Sequence, residues 1–322
     1  MGTNIVEIIM KYKVVLIIVI VVAILAAIIY PLTQLDSDKV KLSSLSSFNV
    51  RQLLAKNNNL YFYNGSQIVR TTINDTSSAQ VIDNDVVFVN ASTNGKRIYY
   101  VKGIGRNAKS YIFNLDQNTK KEYKQYDAFF WVDNNGKFVE FAKNTSNILN
   151  ESLGIEYRNL VYPNFDSYSG IILGSTVKTS PELEGYRWDV VNKDSTSIKN
   201  LEILNAGSRP WVVNNYMAYL ADDNKFNAIN KQGQRVTSEE SINYSQLTYE
   251  YGDQQMFAKF DKNNVIVGDI NLKDGKVVNK RSYKVQNLIK NNSINTTKQT
   301  QAYLYNNTLY VVVDNKVLEV EL

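Results

Sequence analysis

The titratable and nucleophilic residues of this chain limit the chemistry that it can perform. Its 322 residues include no histidine and no cysteine. Catalytic triads built on Ser-His or Cys-His pairs are therefore excluded, and so are the usual zinc and non-haem iron sites, which depend on imidazole or thiolate ligands. Disulfides and lipid-modified cysteines are excluded for the same reason. Any catalysis must use Asp, Glu, Lys, Arg, Tyr, Ser or Thr.

Paired carboxylates are the catalytic arrangement that the sequence leaves open. Glycoside hydrolysis needs two carboxyl groups, and their separation across the fold sets the mechanism. The available residues are Glu140, Glu156, Asp189, Glu239 and Glu240. Asp189 or Glu140 would be the first candidates in such an enzyme. Because their separation is a property of the fold, a carbohydrate-active enzyme stays an alternative, and no catalytic residue is predicted.

Motifs for metals and cofactors are incomplete. Asp133-Asn-Asn-Gly and Asp222-Asp-Asn resemble fragments of calcium loops but lack the full series of oxygen ligands and the final glutamate. Gly103-Ile-Gly105 lacks the third glycine and the helix of a phosphate-binding loop. The prediction is no metal site and no cofactor.

The net charge of +5, from 36 basic and 31 acidic residues, is a mild bias. The densest basic group comprises Lys273, Lys276, Lys280, Arg281, Lys284 and Lys290. Solvated strand faces explain this group better than an anion-binding surface, and nucleic-acid binding is not predicted.

An uncharged apolar segment, VVLIIVIVVAILAAIIY, runs from Val14 to Tyr30. As a helix its 17 residues would extend roughly 25 Å, the short limit for crossing a bilayer. Tyr12 and Tyr30 stand at the two ends, where aromatic rings favour the headgroup region, and Lys11 and Lys13 flank the N-terminal end. We therefore predict a transmembrane signal anchor over residues 14–31.

The flanking charges predict the orientation of this anchor. Lys11 and Lys13 precede it, whereas Asp36 and Asp38 follow it. The positive-inside rule leaves a short cytoplasmic N-terminus, residues 1–13, and places the rest outside the cell membrane. A cleaved signal peptide is the main competitor, since Ala23, Ala26 and Ala27 lie near the end of the run; Ile28 and Ile29 prolong it and favour an uncleaved anchor.

The exported part changes character along its length. Residues 32–50 are polar and rich in serine and predict a stalk, with a short helix possible around Phe48 to Lys56. From residue 51 to 322, short runs of Val, Ile, Tyr, Phe and Trp alternate with clusters of Asn, Asp, Gly and Lys. This alternation is typical of strands and turns. The hairpin turns include Asn64-Gly65, Asn94-Gly95, Asn135-Gly136, Asp274-Gly275 and Asp314-Asn315.

These strands recur in units of about 40 residues, the size of a four-stranded propeller blade. The exported domain is thus predicted to be all-β, a β-propeller of six or seven blades. The last unit ends one strand short at Leu322, and the hairpin from Leu60 to Ile73 is expected to complete it and close the ring. A β-sandwich is the rival, favoured only by the poorly matched stretch from Asn144 to Ser180.

Two of these units resemble the repeat of TolB-like propellers, in which a Ser-Pro-Asp-Gly-Lys type of turn joins two apolar strands. The matching segments are Ser92-Thr-Asn-Gly-Lys-Arg-Ile-Tyr-Tyr and Val132-Asp-Asn-Asn-Gly-Lys-Phe-Val-Glu-Phe. Thr93 and Asn134 replace the expected proline. The resemblance implies a closed propeller that works outside the cytoplasm as a platform for protein interactions, and it transfers no catalytic residue.

Taken together, these patterns predict a membrane-anchored, extracytoplasmic propeller that binds another protein of the cell envelope. Most of the 22 tyrosines are expected to pack between blades, but aromatic side chains at blade rims also serve as contacts. Trp131, Tyr168 and Trp211 are the candidate binding residues. An accessory structural subunit of a membrane complex is a further alternative.

Overall fold

The computed structural model describes residues 39–322 with short gaps. The gaps are residues 74, 92–95, 124–128, 132–137, 143–144, 151, 161–163, 169–170, 181–182, 192–196, 206–210, 214–215, 222, 231–233 and 249–253. Within the described ranges the chain is mainly β-strand, and most strands are joined by short turns.

The described strands form seven separate antiparallel sheets, numbered here in chain order. Sheet 1 contains β2 (Gln52–Lys56), β3 (Asn59–Tyr63), β4 (Ile68–Thr72) and β5 (Asp75–Asp83). Sheet 2 contains β6 (Val86–Ala91), β7 (Arg97–Lys102), β8 (Lys109–Asn114) and β9 (Thr119–Tyr123). Sheet 3 contains β10 (Phe129–Trp131), β11 (Phe138–Ala142), β12 (Thr145–Leu149) and β13 (Ile155–Leu160). Sheet 4 contains β14 (Asn164–Tyr168), β15 (Ile171–Ser180), β16 (Leu183–Val191) and β17 (Ser197–Asn205).

The last three sheets complete the domain. Sheet 5 contains β18 (Trp211–Val213), β19 (Tyr216–Leu220), β20 (Lys225–Asn230) and β21 (Arg235–Ser241). Sheet 6 contains β22 (Gln254–Asp261), β23 (Asn264–Asn271) and β24 (Val277–Lys284), and a single bridge from Leu247 to Phe257 takes the place of its first strand. Sheet 7 contains β25 (Gln299–Tyr305), β26 (Thr308–Val313) and β27 (Lys316–Glu321), with β1 (Val40–Leu42) as its fourth strand. Helix α1 (Gln286–Asn291) links sheets 6 and 7.

The ring closes through the N-terminal strand β1. Val40 pairs with Val320 and Leu42 with Leu318, so the start of the described chain completes its last sheet. The prediction that the hairpin from Leu60 to Ile73 closes the ring is wrong, because β3 and β4 are the middle strands of sheet 1. The apolar pattern of this hairpin fits either sheet, whereas the strand that actually completes sheet 7 is β1, which precedes sheet 1 in the chain.

Part of the segment predicted as a stalk lies in the folded domain. Besides β1, it contains a 3₁₀ helix at Ser44–Phe48, where the Ser43 side chain accepts a hydrogen bond from the Leu45 N–H. The possible helix over Phe48 to Lys56 is instead the end of this 3₁₀ helix followed by β2. The apolar alternation of Leu53 and Ala55 therefore belongs to a strand.

The core lies between neighbouring sheets. The middle strands β23 and β26 are buried along nearly their whole length, because both faces of each sheet pack against another sheet. Sheets 1, 2 and 7 share one cluster that includes Phe62, Tyr100 and Val312. The outermost strands are polar instead, as in the DTSSAQVID sequence of β5. This difference explains why apolar runs and polar strands alternate along the chain.

Asparagine and glycine form the predicted turns. The Asn64 side chain accepts hydrogen bonds from the N–H groups of Ser66 and Gln67, and Gly65 has a φ of 105°. Asp314 and Asn315 adopt φ angles of 48° and 60°, as a two-residue hairpin requires. These two predicted turns are confirmed, whereas Asn94-Gly95 and Asn135-Gly136 lie outside the described residues.

No helix in the described ranges is long and apolar enough to cross a membrane. The predicted anchor, residues 14–31, and the predicted cytoplasmic segment, residues 1–13, lie outside those ranges.

Candidate interaction surface

The topology gives the ring two different faces. Connections from the second to the third strand of a sheet, and from its fourth strand to the next sheet, lie together on what we call the upper face. Hydrogen bonds tie these connections to each other: the Gly103 N–H donates to the Asp85 carbonyl at 3.0 Å, and the Val285 N–H to the Asn263 carbonyl at 2.8 Å. The remaining connections lie on the lower face.

Exposed apolar side chains concentrate on the upper face. Among the described side chains, the large hydrophobic residues that are exposed are Val81, Val87, Phe88, Ile104, Ile155 and Tyr244. All except Ile155 lie in an upper connection or within two residues of a strand end on that face. Ile155 begins β13, on the lower face.

Four of these residues, here called the apolar patch, lie near the upper ends of sheets 1 and 2: Val81, Val87, Phe88 and Ile104. The Asp85–Gly103 hydrogen bond and the pairing of Val86 with Lys102 bring the start of β6 beside the loop that follows β7. Ile104 stands in that loop with 84% of its surface exposed. Phe88 rests on the buried Tyr99, with 6.2 Å between the ring centroids. Because several exposed apolar side chains occur at this end of two neighbouring sheets, we take it as the candidate interaction surface.

Near the upper face, a buried carboxylate joins sheets 1 and 2. Asp83, the last residue of β5, accepts hydrogen bonds from Lys102 Nζ, from Lys120 Nζ at 3.0 Å and from the Tyr100 hydroxyl at 2.7 Å. Burial opposes ionisation of Asp83, but these donors and the Asn84 N–H outweigh it and lower its pKa to about 2. Burial and the neighbouring carboxylate raise the pKa of Tyr100. The carboxylate is thus ionised and the phenol neutral at physiological pH.

A second cluster of the same design joins sheets 5 and 6. Glu240 on β21 accepts from Lys259 Nζ and from Lys280 Nζ, each at 2.6 Å. These two hydrogen bonds lower the pKa of Glu240 despite its partial burial. In both clusters an acid near the end of a fourth strand holds lysines from the second and fourth strands of the next sheet. The ion pairs therefore hold neighbouring sheets together where the chain crosses between them.

The Glu240 cluster lines a polar groove of about 490 Å³. Its other walls include Asn224, Ser241, Asn243, Gln246, Phe260 and Asp261. A volume of this size falls in the range of small-molecule sites. Glu240 and Asp261 balance Lys259 and Lys280, so the groove has no net charge. Because Glu240 is fixed in its ionised form by two lysines, it is poorly suited to act as the general acid of a glycosidase.

The other candidate carboxylates are not brought together with Glu240. Glu140 on β11 accepts from the Asn147 amide at 2.9 Å and from the Tyr123 hydroxyl at 3.4 Å. Glu239 is the neighbour of Glu240 on one strand, so the two side chains point to opposite faces of the sheet. Glu156 lies on β13 and Asp189 on β16, in sheets 3 and 4.

The predicted binding residues share a structural position. Trp131, Tyr168 and Trp211 lie on β10, β14 and β18, the first strands of three successive sheets. Trp131 and Tyr168 end their strands at the lower face, whereas Trp211 begins its strand at the upper face. Their side chains lie outside what the structure describes, and their role in binding stays a prediction. The predicted anchor residues Lys11, Tyr12, Lys13 and Tyr30 lie outside the described ranges.

Sequence reasoning did not single out Asp83 or the apolar patch. An available signal was Ile104, an apolar residue between two glycines, where a turn exposes its side chain. Asp83 gave no local signal, because its partners are 17, 19 and 37 residues away. The basic residues on β24 are exposed, as predicted, on the outer strand of sheet 6.

No protein-family model matches the chain, and no curated protein matches it by sequence. Several solved structures, however, have a similar fold. A chain of the mitotic checkpoint complex superposes with a TM-score of 0.56 at 11% identity, over 89% of this chain and 93% of that one. A catalytically inactive virginiamycin B lyase from Staphylococcus aureus, solved with quinupristin, superposes with a TM-score of 0.54 at 12% identity, over 88% of this chain and 99% of that one. The structure of U3-55K superposes with a TM-score of 0.53 at 9% identity, over 89% of this chain and 99% of that one.

The described domain is therefore a β-propeller. Identities this low establish the fold alone. Separate sheets that succeed one another around a ring also rule out the rival β-sandwich, which would stack two larger sheets. The narrower resemblance to TolB-like propellers stays a prediction.

Proposed function

We propose that this protein is a membrane-anchored, extracytoplasmic propeller of seven blades that acts as a protein-binding scaffold of the cell envelope. Each of the seven sheets would be one blade, with β1 completing the last. The observation that carries the binding role is the one-sided exposure of apolar side chains, with Val87, Phe88 and Ile104 grouped on the upper face. Exposed apolar side chains on one face of the ring fit a protein contact.

The anchor and the location rest on the sequence. The uncharged segment from Val14 to Tyr30, preceded by Lys11 and Lys13, supports a single transmembrane helix with the N-terminus in the cytoplasm. Tethering to a membrane raises the effective concentration of the propeller near any partner held there.

The anchor is tested with the full-length chain in cells. Membranes washed at alkaline pH should retain the protein, and protease added to intact cells should digest residues 32–322. A variant that lacks residues 1–31 should leave the membrane fraction. Release of the full-length chain by the wash, or its protection from protease, would contradict the anchor or its orientation.

The scaffold role is tested by cross-linking in intact cells. We expect a discrete adduct of the wild-type chain that disappears in Ile104→Asp and persists in Ile155→Asp, the same substitution at an exposed residue of the lower face. If the adduct also disappears without residues 1–31, the anchor takes part in the association and the accessory-subunit alternative gains support. Glycan turnover that is lost in Glu240→Gln or Glu140→Gln would instead favour the enzymatic alternative.

A further inference from the structure

The positive charge of this protein is concentrated in one part of the ring. Residues 273–290 form the turn before β24, β24 itself and most of α1, and they contain six basic residues and one acidic residue. Their net charge of +5 equals that of the whole chain, so all other residues together sum to zero. We call this surface the basic edge. Its basic residues are all exposed: Lys273, Lys276, Lys280, Arg281, Lys284 and Lys290.

Nearby carboxylates neutralise only part of this charge. Glu240 on β21 pairs with Lys259 and Lys280, and the buried Asp269 accepts a hydrogen bond from the Asn279 amide at 2.9 Å. The exposed carboxylates of this region are Glu239, Asp261 and Asp274. When all five carboxylates are counted against the eight basic residues of residues 254–290, a net charge of +3 remains.

Most of the basic edge is available to an anion. Within the part of the chain that the structure describes, Lys276, Arg281, Lys284 and Lys290 form no ion pair. Lys280 holds Glu240, but its side chain is 50% exposed, and an ammonium group has three donors.

Protection of the sheet edge explains this row of charges only in part. β24 is the outermost strand of sheet 6, and charged side chains on such strands prevent pairing with another chain. Charges of either sign serve that purpose: β5 has aspartates and no basic residue, and β21 has one arginine and two glutamates. Of the outer strands in the seven described sheets, β24 alone carries three basic residues and no acidic one. A single sign favours an anionic partner.

The chain enters the ring beside the basic edge. β1 is the outermost strand of sheet 7, and Val40 on β1 lies in the same apolar cluster as Tyr283 on β24. The Glu321 N–H donates to the Lys39 carbonyl at 2.8 Å, which places the start of β1 at the lower end of sheet 7. Lys39 is exposed as well. The outer edges of sheets 6 and 7 are thus the part of the ring nearest to the predicted anchor.

The connection between the predicted anchor and the ring is short. Residues 32–38 are seven residues, which extend at most roughly 24 Å. Packed sheets lie about 10 Å apart, so the outer edge of sheet 6 is within reach of the membrane surface. The eight residues of β24 span about 26 Å along the height of the ring. The whole basic edge meets the membrane only if the ring stands on these outer edges.

From these relationships we propose that the basic edge binds anionic lipid headgroups of the outer leaflet, so that the propeller stands on the outer edges of sheets 6 and 7. Lipid phosphates accept hydrogen bonds from ammonium and guanidinium groups. Each lysine or arginine near an anionic surface strengthens binding roughly fivefold. This inference rests on the proposed function and adds a membrane contact and an orientation, in which both faces of the ring stay accessible to a protein partner.

The orientation is tested with single fluorophores, since the chain has no cysteine of its own. Asn287→Cys on α1 and Asn107→Cys after β7 form a matched pair, because both positions are exposed and lie in upper connections, of sheets 6 and 2. Each full-length variant is labelled and inserted into phosphatidylcholine vesicles with headgroup-quenching lipids, with or without phosphatidylglycerol. Stronger quenching at position 287 is expected, and only with phosphatidylglycerol. Equal quenching at the two positions in those vesicles would overturn the proposal.

Removal of charges tests which residues carry the contact. Lys284→Gln combined with Lys290→Gln should lower the ratio of contacting to released domains about tenfold or more, and salt should weaken the wild-type contact. Lys109→Gln combined with Lys121→Gln removes the same charge from sheet 2 and should behave as the wild type does. Undiminished quenching at position 287 in the first variant would contradict the lipid contact. If that variant also self-associates in sedimentation, its lysines protect the sheet edge instead.

Flotation of the full-length chain separates this inference from the proposed anchor. Flotation with both kinds of vesicle, without the difference in quenching, overturns the lipid contact and leaves the anchor intact. Flotation only with phosphatidylglycerol, reversed by salt, supports the lipid contact and overturns the anchor. Flotation with neither overturns both. Circular dichroism of each variant confirms folding.

Discussion

The side-chain amide of Gln301 makes both backbone hydrogen bonds of Leu53. Its Nε2 donates to the Leu53 carbonyl at 2.9 Å, and its Oε1 accepts from the Leu53 N–H at 2.7 Å. Gln301 lies on the first strand of sheet 7 and Leu53 on the first strand of sheet 1. One amide thus bridges the seam where the two ends of the propeller meet. The Tyr303 hydroxyl does the same at Ala55, bonding both its N–H and its carbonyl at 3.1 Å.

Replacement of Gln301 by methionine should destabilise the domain. The variant keeps the volume of the side chain but leaves the Leu53 N–H and carbonyl without partners, and a buried unpaired polar group costs about 1–3 kcal/mol. Urea denaturation should show a lower midpoint with an unchanged slope. Gln286→Met, at an exposed position of α1, is the control and should change stability by less than about 0.5 kcal/mol. Equal effects would contradict the role of the seam.

Asp83→Asn should destabilise the domain at neutral pH and lose its effect in acid. The folded-state pKa of Asp83, about 2, lies below the ordinary value of 3.8, so the carboxylate stabilises the fold above about pH 4 and this contribution is lost as the pH falls toward 2. The shift corresponds to about 2 kcal/mol at pH 7.

The measurement is urea denaturation of wild type and variant between pH 7 and pH 2.5. The difference between their unfolding free energies should shrink over the lower part of that range. Asp116→Asn removes a more exposed ion pair with Lys56, at 3.5 Å, and should change stability by less than about 1 kcal/mol. A pH-independent difference for Asp83→Asn would show that shape, not charge, matters at this position.

Gly275→Ala should be clearly more harmful than Gly105→Ala. Both glycines have positive φ angles, 75° and 64°, which cost alanine about 1 kcal/mol. A Cβ at position 275 would also come within 2.2 Å of the Thr237 carbonyl oxygen on β21, whereas one at position 105 meets no atom within 4 Å. Thermal unfolding should separate the two variants by several degrees. Similar melting temperatures would mean that sheets 5 and 6 separate easily.

Removal of β1 should open the ring. A chain that begins at residue 39 keeps β1, and we expect its stability to match that of the exported domain. A chain that begins at residue 44 loses the Val40–Val320 and Leu42–Leu318 pairs and leaves β27 as an unprotected edge. We expect a loss of about 3 kcal/mol or more from apolar burial and hydrogen bonds together. Calorimetry of both chains measures this loss, and light scattering detects aggregation through the free edge. Equal stability would show that β1 is dispensable.

The sequence determined the local structure of the domain. The hairpin on either side of Asn64-Gly65, the turn at Asp314-Asn315 and the succession of four-stranded units all follow from alternating side chains and turn residues that act within a few positions. Two segments with similar sequences, Ser110-Tyr-Ile-Phe-Asn-Leu and Gly185-Tyr-Arg-Trp-Asp-Val, both fall on third strands, β8 and β16. Strand and turn preferences depend on residues a few positions apart, so a single sequence is sufficient to predict them.

Only the tertiary structure decided how the ring closes and which surfaces it presents. The apolar pattern of Leu60 to Ile73 is equally compatible with sheet 1 and sheet 7. β1 becomes the fourth strand of sheet 7 because the folded ring brings Val40 beside Val320. The lysines that hold Asp83, and the proximity of Val87 to Ile104, likewise depend on which strands become neighbours. Hydrophobic burial is non-directional and sequence separation does not limit it, so such contacts are fixed when the sheets pack and leave little trace in the local sequence.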